Sequence, residues 1–153
     1  MWGNGGCSNQ GTSNTALLQN IASHGFLAIA EGPPTGGGTS NKDTMAAAIN
    51  WIAKAAGTGD YANVDATKIM AAGFSCGGVE AMDNIWNSNV KTVGVISSGL
   101  LTNYTAASQF KKPVLFVIGG SSDVAYNNVS ANTTTSFNML PFNGLHVQPR
   151  YFY

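Results

Sequence analysis

Apolar positions along this chain alternate between helical spacing and short unbroken runs. Between Asn14 and His24, Leu17, Leu18, Ile21 and Ala22 share one helical face, with Ser13 as a candidate N-cap and Gly25 as a stop. Phe26–Ala30 predicts a buried strand, and Glu31–Ser40 is a Pro- and Gly-rich loop. Met45, Ala48, Ile49 and Ile52 predict a second helix from Asp43 to Ala56, ended by Gly57. The run from Lys68 to Gly73 predicts a strand, and Val79, Met82, Ile85 and Trp86 predict a helix directly after it. Thr92–Ile96 and Val114–Ile118 predict two further strands. Met1–Trp2 reads as the end of a strand leading into the loop Gly3–Cys7, and Ser121–Tyr153 has no clear period. Strand and helix in turn imply the α/β class, a three-layer α/β/α sandwich whose mostly parallel sheet is covered on both faces. No internal repeat or linker divides the chain, so 1–153 reads as a single domain.

Composition narrows the picture. Apolar residues make up 44% of the 153, enough for a real core in one domain. Charged residues are only 9% and the formal net charge is zero, which argues against a nucleic-acid partner, since neutralising phosphates needs clustered Lys and Arg. No stretch approaches the roughly 18 consecutive apolar residues of a membrane span. Plentiful Gly, Ser, Thr and Asn with little charge suits the surface of a secreted protein. Asn103–Tyr104–Thr105, Asn128–Val129–Ser130 and Asn132–Thr133–Thr134 each fit the N-glycosylation pattern and fall in stretches read as loops. The chain shows no basic segment followed by an apolar one at its start, so export implies a leader outside it.

One stretch carries candidate chemistry. The apolar run ends in Gly73–Phe74–Ser75–Cys76–Gly77, a Gly-x-Ser-x-Gly pattern between a predicted strand and a predicted helix. That context is a nucleophile elbow: glycines remove side chains that would clash on a strained turn, and the helix aims its positive end at developing negative charge. The plainer alternative is a Gly-rich βα turn with an incidental serine.

The segments Trp2–Gly3–Asn4–Gly5–Gly6–Cys7, Ser23–Ala30, Val64–Asp65, Gly73–Gly78 and Gly119–Gly120–Ser121–Ser122–Asp123 together resemble a secreted α/β-hydrolase. The similarity is to the dienelactone-hydrolase, chlorophyllase and polyester-hydrolase branch in its fungal form. It covers roughly residues 1–126; the tail 127–153 is unlike the family. The resemblance implies a serine ester hydrolase acting on a small-molecule or polymeric ester, with no cofactor and no metal. Ser75 would be the nucleophile, Asp123 the acid after the Val114–Ile118 strand, and His146 the base, in the family order Ser, acid, His. The plainer alternative for Asp123 is a turn residue, for which Asp is well suited. His146, in Asn143–Gly144–Leu145–His146–Val147, would sit on a loop after a strand Met139–Phe142 that contains a proline. His24 belongs at the opposite sheet edge and suits a helix C-terminus.

The implied oxyanion hole uses the N–H of Cys76 and the loop with Gly5 and Gly6, to which Asn4 could add a side-chain donor. If these loops meet, Cys7 and Cys76 are placed for a disulfide; otherwise they are two small apolar side chains or free thiols. Two Cys and two His lack zinc-ligand spacing, and Gly36–Gly37–Gly38 lacks the Gly-Lys-Ser/Thr of a phosphate loop. Trp51 and Trp86 lie on apolar faces and are expected in the core. In this fold the strand before the oxyanion loop is central, between Phe26–Ala30 and the elbow strand. Only Met1–Trp2 represents it, so a fragment, truncated gene model or splice form is expected. Two alternatives remain: a non-catalytic remnant of the fold, and a carbohydrate-binding or adhesive domain using aromatics such as Tyr104 and Tyr126.

Overall fold

The computed structural model describes residues 1–99, 108–119 and 123, with the backbone alone of 145–147. Asn103, Asn128, Asn132, Tyr104, Tyr126 and the 139–142 segment lie outside the described residues.

Five strands run parallel in the order β1 (Trp2–Gly3), β2 (Ile69–Phe74), β3 (Val90–Ile96), β4 (Val114–Val117) and β5 (Leu145–Val147). β1 registers Gly3 against Gly73, and β2 registers Phe74 against Ile96, so the strand ends gather at one edge. On its other side Trp2 bridges Ala30: Trp2 N–H donates to Ile29 O at 2.8 Å and Glu31 N–H to Trp2 O at 3.2 Å. β1 is therefore the end strand of the five-strand order, flanked on its far side by the isolated bridge at Ala30. The buried strand expected at Phe26–Ala30 shrinks to that single bridge, and Phe26 and Leu27 are 66% and 44% exposed. Its one neighbour is two residues long, so there is little ladder to extend along.

Of the helices, α1 spans Thr15–Ser23, α2 Lys42–Ala55 and α3 Cys76–Asp83. α2 begins with a capping box in which Asn41 Oδ1 accepts from Asp43 and Thr44 N–H while Thr44 Oγ1 accepts from Asn41 N–H. Such a cap stabilises a helix by about 1 kcal/mol. Met45, Ile49 and Ile52 are buried, as their spacing predicts, each contributing about 1.5–3 kcal/mol of apolar transfer. They join Met82 and Ile85 and the inward residues Ile69, Ala71, Val93, Val95, Val114 and Phe116 in one core.

The alternate strand residues Met70, Ala72, Thr92, Leu115 and Val117 are only half-buried. Among the described residues, one sheet face is thus fully covered, by α2 and α3, and the other partly. Crossover handedness assigns α1 to that second face, because the chain leaves β1 in the direction opposite to its later crossovers. α1 has no buried residue. The α/β class and the parallel sheet stand; the second face lacks a fully packed helical layer among the described residues. Trp51 and Trp86, expected in the core, are 48% and 58% exposed and stack edge-on against Tyr61 and Phe110.

Candidate active site

Ser75 stands between the last residue of β2 and the first of α3 with φ 53° and ψ −117°, a conformation an L-residue holds only under constraint from its surroundings. Its N–H donates to Ile96 O at 2.9 Å, and its own carbonyl accepts from Gly78 N–H at 2.9 Å. Two glycines make the turn sterically feasible. A Cβ on Gly73 would lie 2.2 Å from the carbonyl of Gly77, and one on Gly77 would lie 2.1 Å from the carbonyl of Gly3. β2, the start of α3 and the end of β1 touch through bare backbone.

The β1 loop completes this corner. Gly77 N–H donates to Asn4 O at 3.0 Å, tying the loop to the first turn of α3. Gly6 and Cys7 take positive φ, 63° and 51°, in the short 3-10 turn Gly5–Cys7. The Cys7–Cys76 disulfide is present, with Cα atoms 5.2 Å apart, and closes a 69-residue separation. On the chain-entropy account such a closure stabilises by about 4 kcal/mol. The N–H of Cys76, at the start of the helix where no intrahelical acceptor exists, has no partner among the described residues.

Asn4 does something other than expected. Its side chain is buried, and Nδ2 donates to the carbonyls of Ser8 at 2.9 Å and Gln10 at 3.0 Å while Oδ1 accepts from Asn14 at 3.0 Å. These bonds occupy it in shaping the loop, so it is an organiser of the loop and not an oxyanion donor. Phe74, 42% exposed, lays its ring against Gly5 beside Ser75 and offers an apolar wall there.

Asp123 lies beyond the end of β4. Its Oδ2 accepts from Ser97 Oγ at 2.6 Å and from Gly119 N–H at 2.7 Å. A Cβ on Gly119 would come within 2.7 Å of that oxygen, so glycine leaves it room. The backbone of His146 lies within β5, in register with Phe116 of β4. It is a strand residue and not the loop residue expected. His24 caps the C-terminal end of α1.

No family model and no curated protein matches this chain. What the site can do therefore follows from its own atoms. Ser75, Cys76, Gly5, Gly6 and Cys7 are brought together; Asp123 sits at the same sheet edge, two strands along, held by Ser97.

Beneath the loop lies a group that sequence reading missed. Glu31 and Glu80 are buried; Ser40 Oγ donates to Glu80 Oε1 at 2.9 Å and Thr44 Oγ1 to Glu31 Oε1 at 3.2 Å. The Glu31 carboxyl is pushed up to about 8, first by burial, then by its hydrogen bond to Glu80 and the charge there. The two Oε2 atoms have no other partner among the described residues, which fits one proton held between two carboxyls. No local motif marks such a pair, because its members come from separate elements. Cys7, Cys76 and Glu80 form the one grouping of metal-donor types among the described residues, but sulfurs joined to each other are not thiolate ligands. A polar cleft of about 420 Å³, lined by Lys42, Asp43, Asn50, Asp83 and Asn84, lies at the other end of α3 from Ser75 and holds none of the expected site residues.

Proposed function

We propose that the protein is a secreted serine hydrolase of carboxylic esters, with the three-layer α/β-hydrolase fold of the family it resembles. The observation that carries the reading is Ser75 at a left-handed turn between β2 and α3, beside the Cys76 N–H and a glycine loop fastened by Cys7–Cys76. That is the arrangement acyl transfer needs. Ser75 Oγ attacks the ester carbonyl while the base takes its proton; the carbonyl oxygen gains charge against the N–H of Cys76 and of Gly5 or Gly6. The alcohol leaves with the transferred proton, and a water deprotonated by the same base releases the acid. In this reading His146 is the base and Asp123 orients it and stabilises its charge. Phe74 beside Ser75 suits an uncharged substrate. Export is supported by the disulfide, which persists in oxidising surroundings. No helix among the described residues is long and apolar enough to cross a membrane.

Hydrolysis of p-nitrophenyl acetate or butyrate tests the reading: Ser75→Ala abolishes it with the fold intact, and Asp123→Asn lowers it less. A Ser75→Ala protein as active as the wild type contradicts it. A second reading, a non-catalytic form of the fold, is favoured by His146 lying inside β5, three strand spacings or about 14 Å from β2. Under that reading the wild type shows no hydrolysis to lose.

A further inference from the structure

Ser97 combines two features that the proposed mechanism has not used. It immediately follows β3 and holds φ at 47°, one of three non-glycine residues with positive φ among the described residues; the others are Cys7 and Ser75 of the elbow corner. Its N–H donates to Val117 O at 2.7 Å, continuing the ladder to β4, while its Oγ donates to Asp123 Oδ2 at 2.6 Å. A left-handed residue at a strand end is strained for any L side chain, and persists where its surroundings over-determine it. Here the constraint places a hydroxyl, from the strand between Ser75 and Asp123, against the carboxylate.

We propose that Ser97 is a positioning residue of the active site, holding Asp123 in the orientation in which it serves the base. The proposal rests on the serine-hydrolase reading above. Oδ2 takes the Ser97 hydroxyl from the end of β3 and the Gly119 N–H from the end of β4. Donors from the ends of two neighbouring strands thus converge on one carboxylate oxygen and hold it in place. In that reading the base that Asp123 serves is His146. Because the hydroxyl draws charge from the carboxylate, it also limits how strongly Asp123 stabilises an imidazolium. Ser97 touches no reacting atom; it acts through Asp123.

The test is the pH profile of p-nitrophenyl butyrate hydrolysis by the full chain, for wild type, Ser97→Ala and Ser97→Gly. Glycine adopts positive φ without strain, so Ser97→Gly removes the hydroxyl while easing the backbone. Both variants are expected to lose about tenfold in kcat, the equivalent of one hydrogen bond to a charged group, with KM changed by less than about twofold. The acidic limb of kcat/KM moves up by about half a pH unit, because a carboxylate with one donor fewer better stabilises the protonated base. A Ser97→Gly protein with wild-type kcat and an unmoved limb overturns the proposal and leaves the hydrolase reading standing. Absence of Ser75-dependent hydrolysis in the wild type overturns that reading, and this proposal with it.

Discussion

α1 and α2 carry apolar faces of the same kind, yet the fold treats them differently. In α2, Met45 and Ile49 are fully buried against the sheet and α3. In α1, Leu17 is 41% exposed, Ala22 is exposed and only Leu18 and Ile21 are half-covered. The difference lies in what each helix meets. α2 packs beside α3 over strands whose inward residues are all apolar; α1 is followed by Phe26 and Leu27, themselves exposed, and by a single bridge at Ala30. Periodicity shows which side of a helix is apolar, and only the neighbouring elements decide whether that side is buried.

The elbow corner extends the contrast, since there even the backbone is in contact. Gly77→Ala is the most severe way to break it. The new Cβ would overlap the main chain of Gly3 and Asn4, which cannot rotate away as a side chain would. The expected loss is about 4 kcal/mol or more, read as a collapse of the urea midpoint. Gly6→Ala serves as the control for space: nothing lies near its Cβ, and only the positive φ penalises it, at about 1–2 kcal/mol.

Next in size comes the helix comparison itself. Ile49→Ala in α2 should cost about 2–5 kcal/mol, because it leaves a cavity in a closed core. Leu17→Ala in α1 should cost less than about 1 kcal/mol. Equal losses, measured as urea unfolding free energies, would mean that α1 is packed as firmly as α2.

A smaller effect concerns the acid pair under the loop. The Glu31 carboxyl goes from an ordinary 4.5 to about 8 in the folded protein, so between those values the native state holds a proton that the unfolded chain releases. Stability from this group is therefore full below about 4.5 and is lost as pH rises through about 8. Glu31→Gln, which cannot ionise, should flatten that decline between about pH 5 and pH 9 in denaturation midpoints. An unchanged slope would show that the pair does not share a proton.

Much of this corner is legible in the sequence. Gly73, Ser75 and Gly77 declare the elbow by their spacing: Gly73 is needed for the nearby Gly77 carbonyl, although the contact that requires Gly77 is with the distant Gly3. The Cys7–Cys76 bridge is legible only on condition that the two loops meet, and the structure shows that they do. α2 is legible because its apolar face and its stop at Gly57 agree, whereas its capping box at Asn41 and Thr44 shows only in the structure. Exposure of Trp51, Trp86 and Phe26 is not legible, since it depends on what lies across from them. The role of Asn4 is not legible for the same reason: its acceptors at Ser8 and Gln10 are fixed by the path of the loop. Ser97 left only a faint trace, a serine just past a strand at the edge where ligands gather in parallel sheets. The strand at His146 is not legible, because the resemblance implies a turn there after a strand at 139–142, whereas the paired strand begins at Leu145.

The central claim is that Ser75 is an activated nucleophile. Exposure of the full chain to a fluorophosphonate probe, followed by identification of the modified peptide, tests it most directly. The account predicts a phosphonyl group on Ser75, lost in Ser75→Ala and slowed in Asp123→Asn and in His146→Ala. A folded wild type whose Ser75 stays unmodified under conditions that label a control serine hydrolase would contradict it.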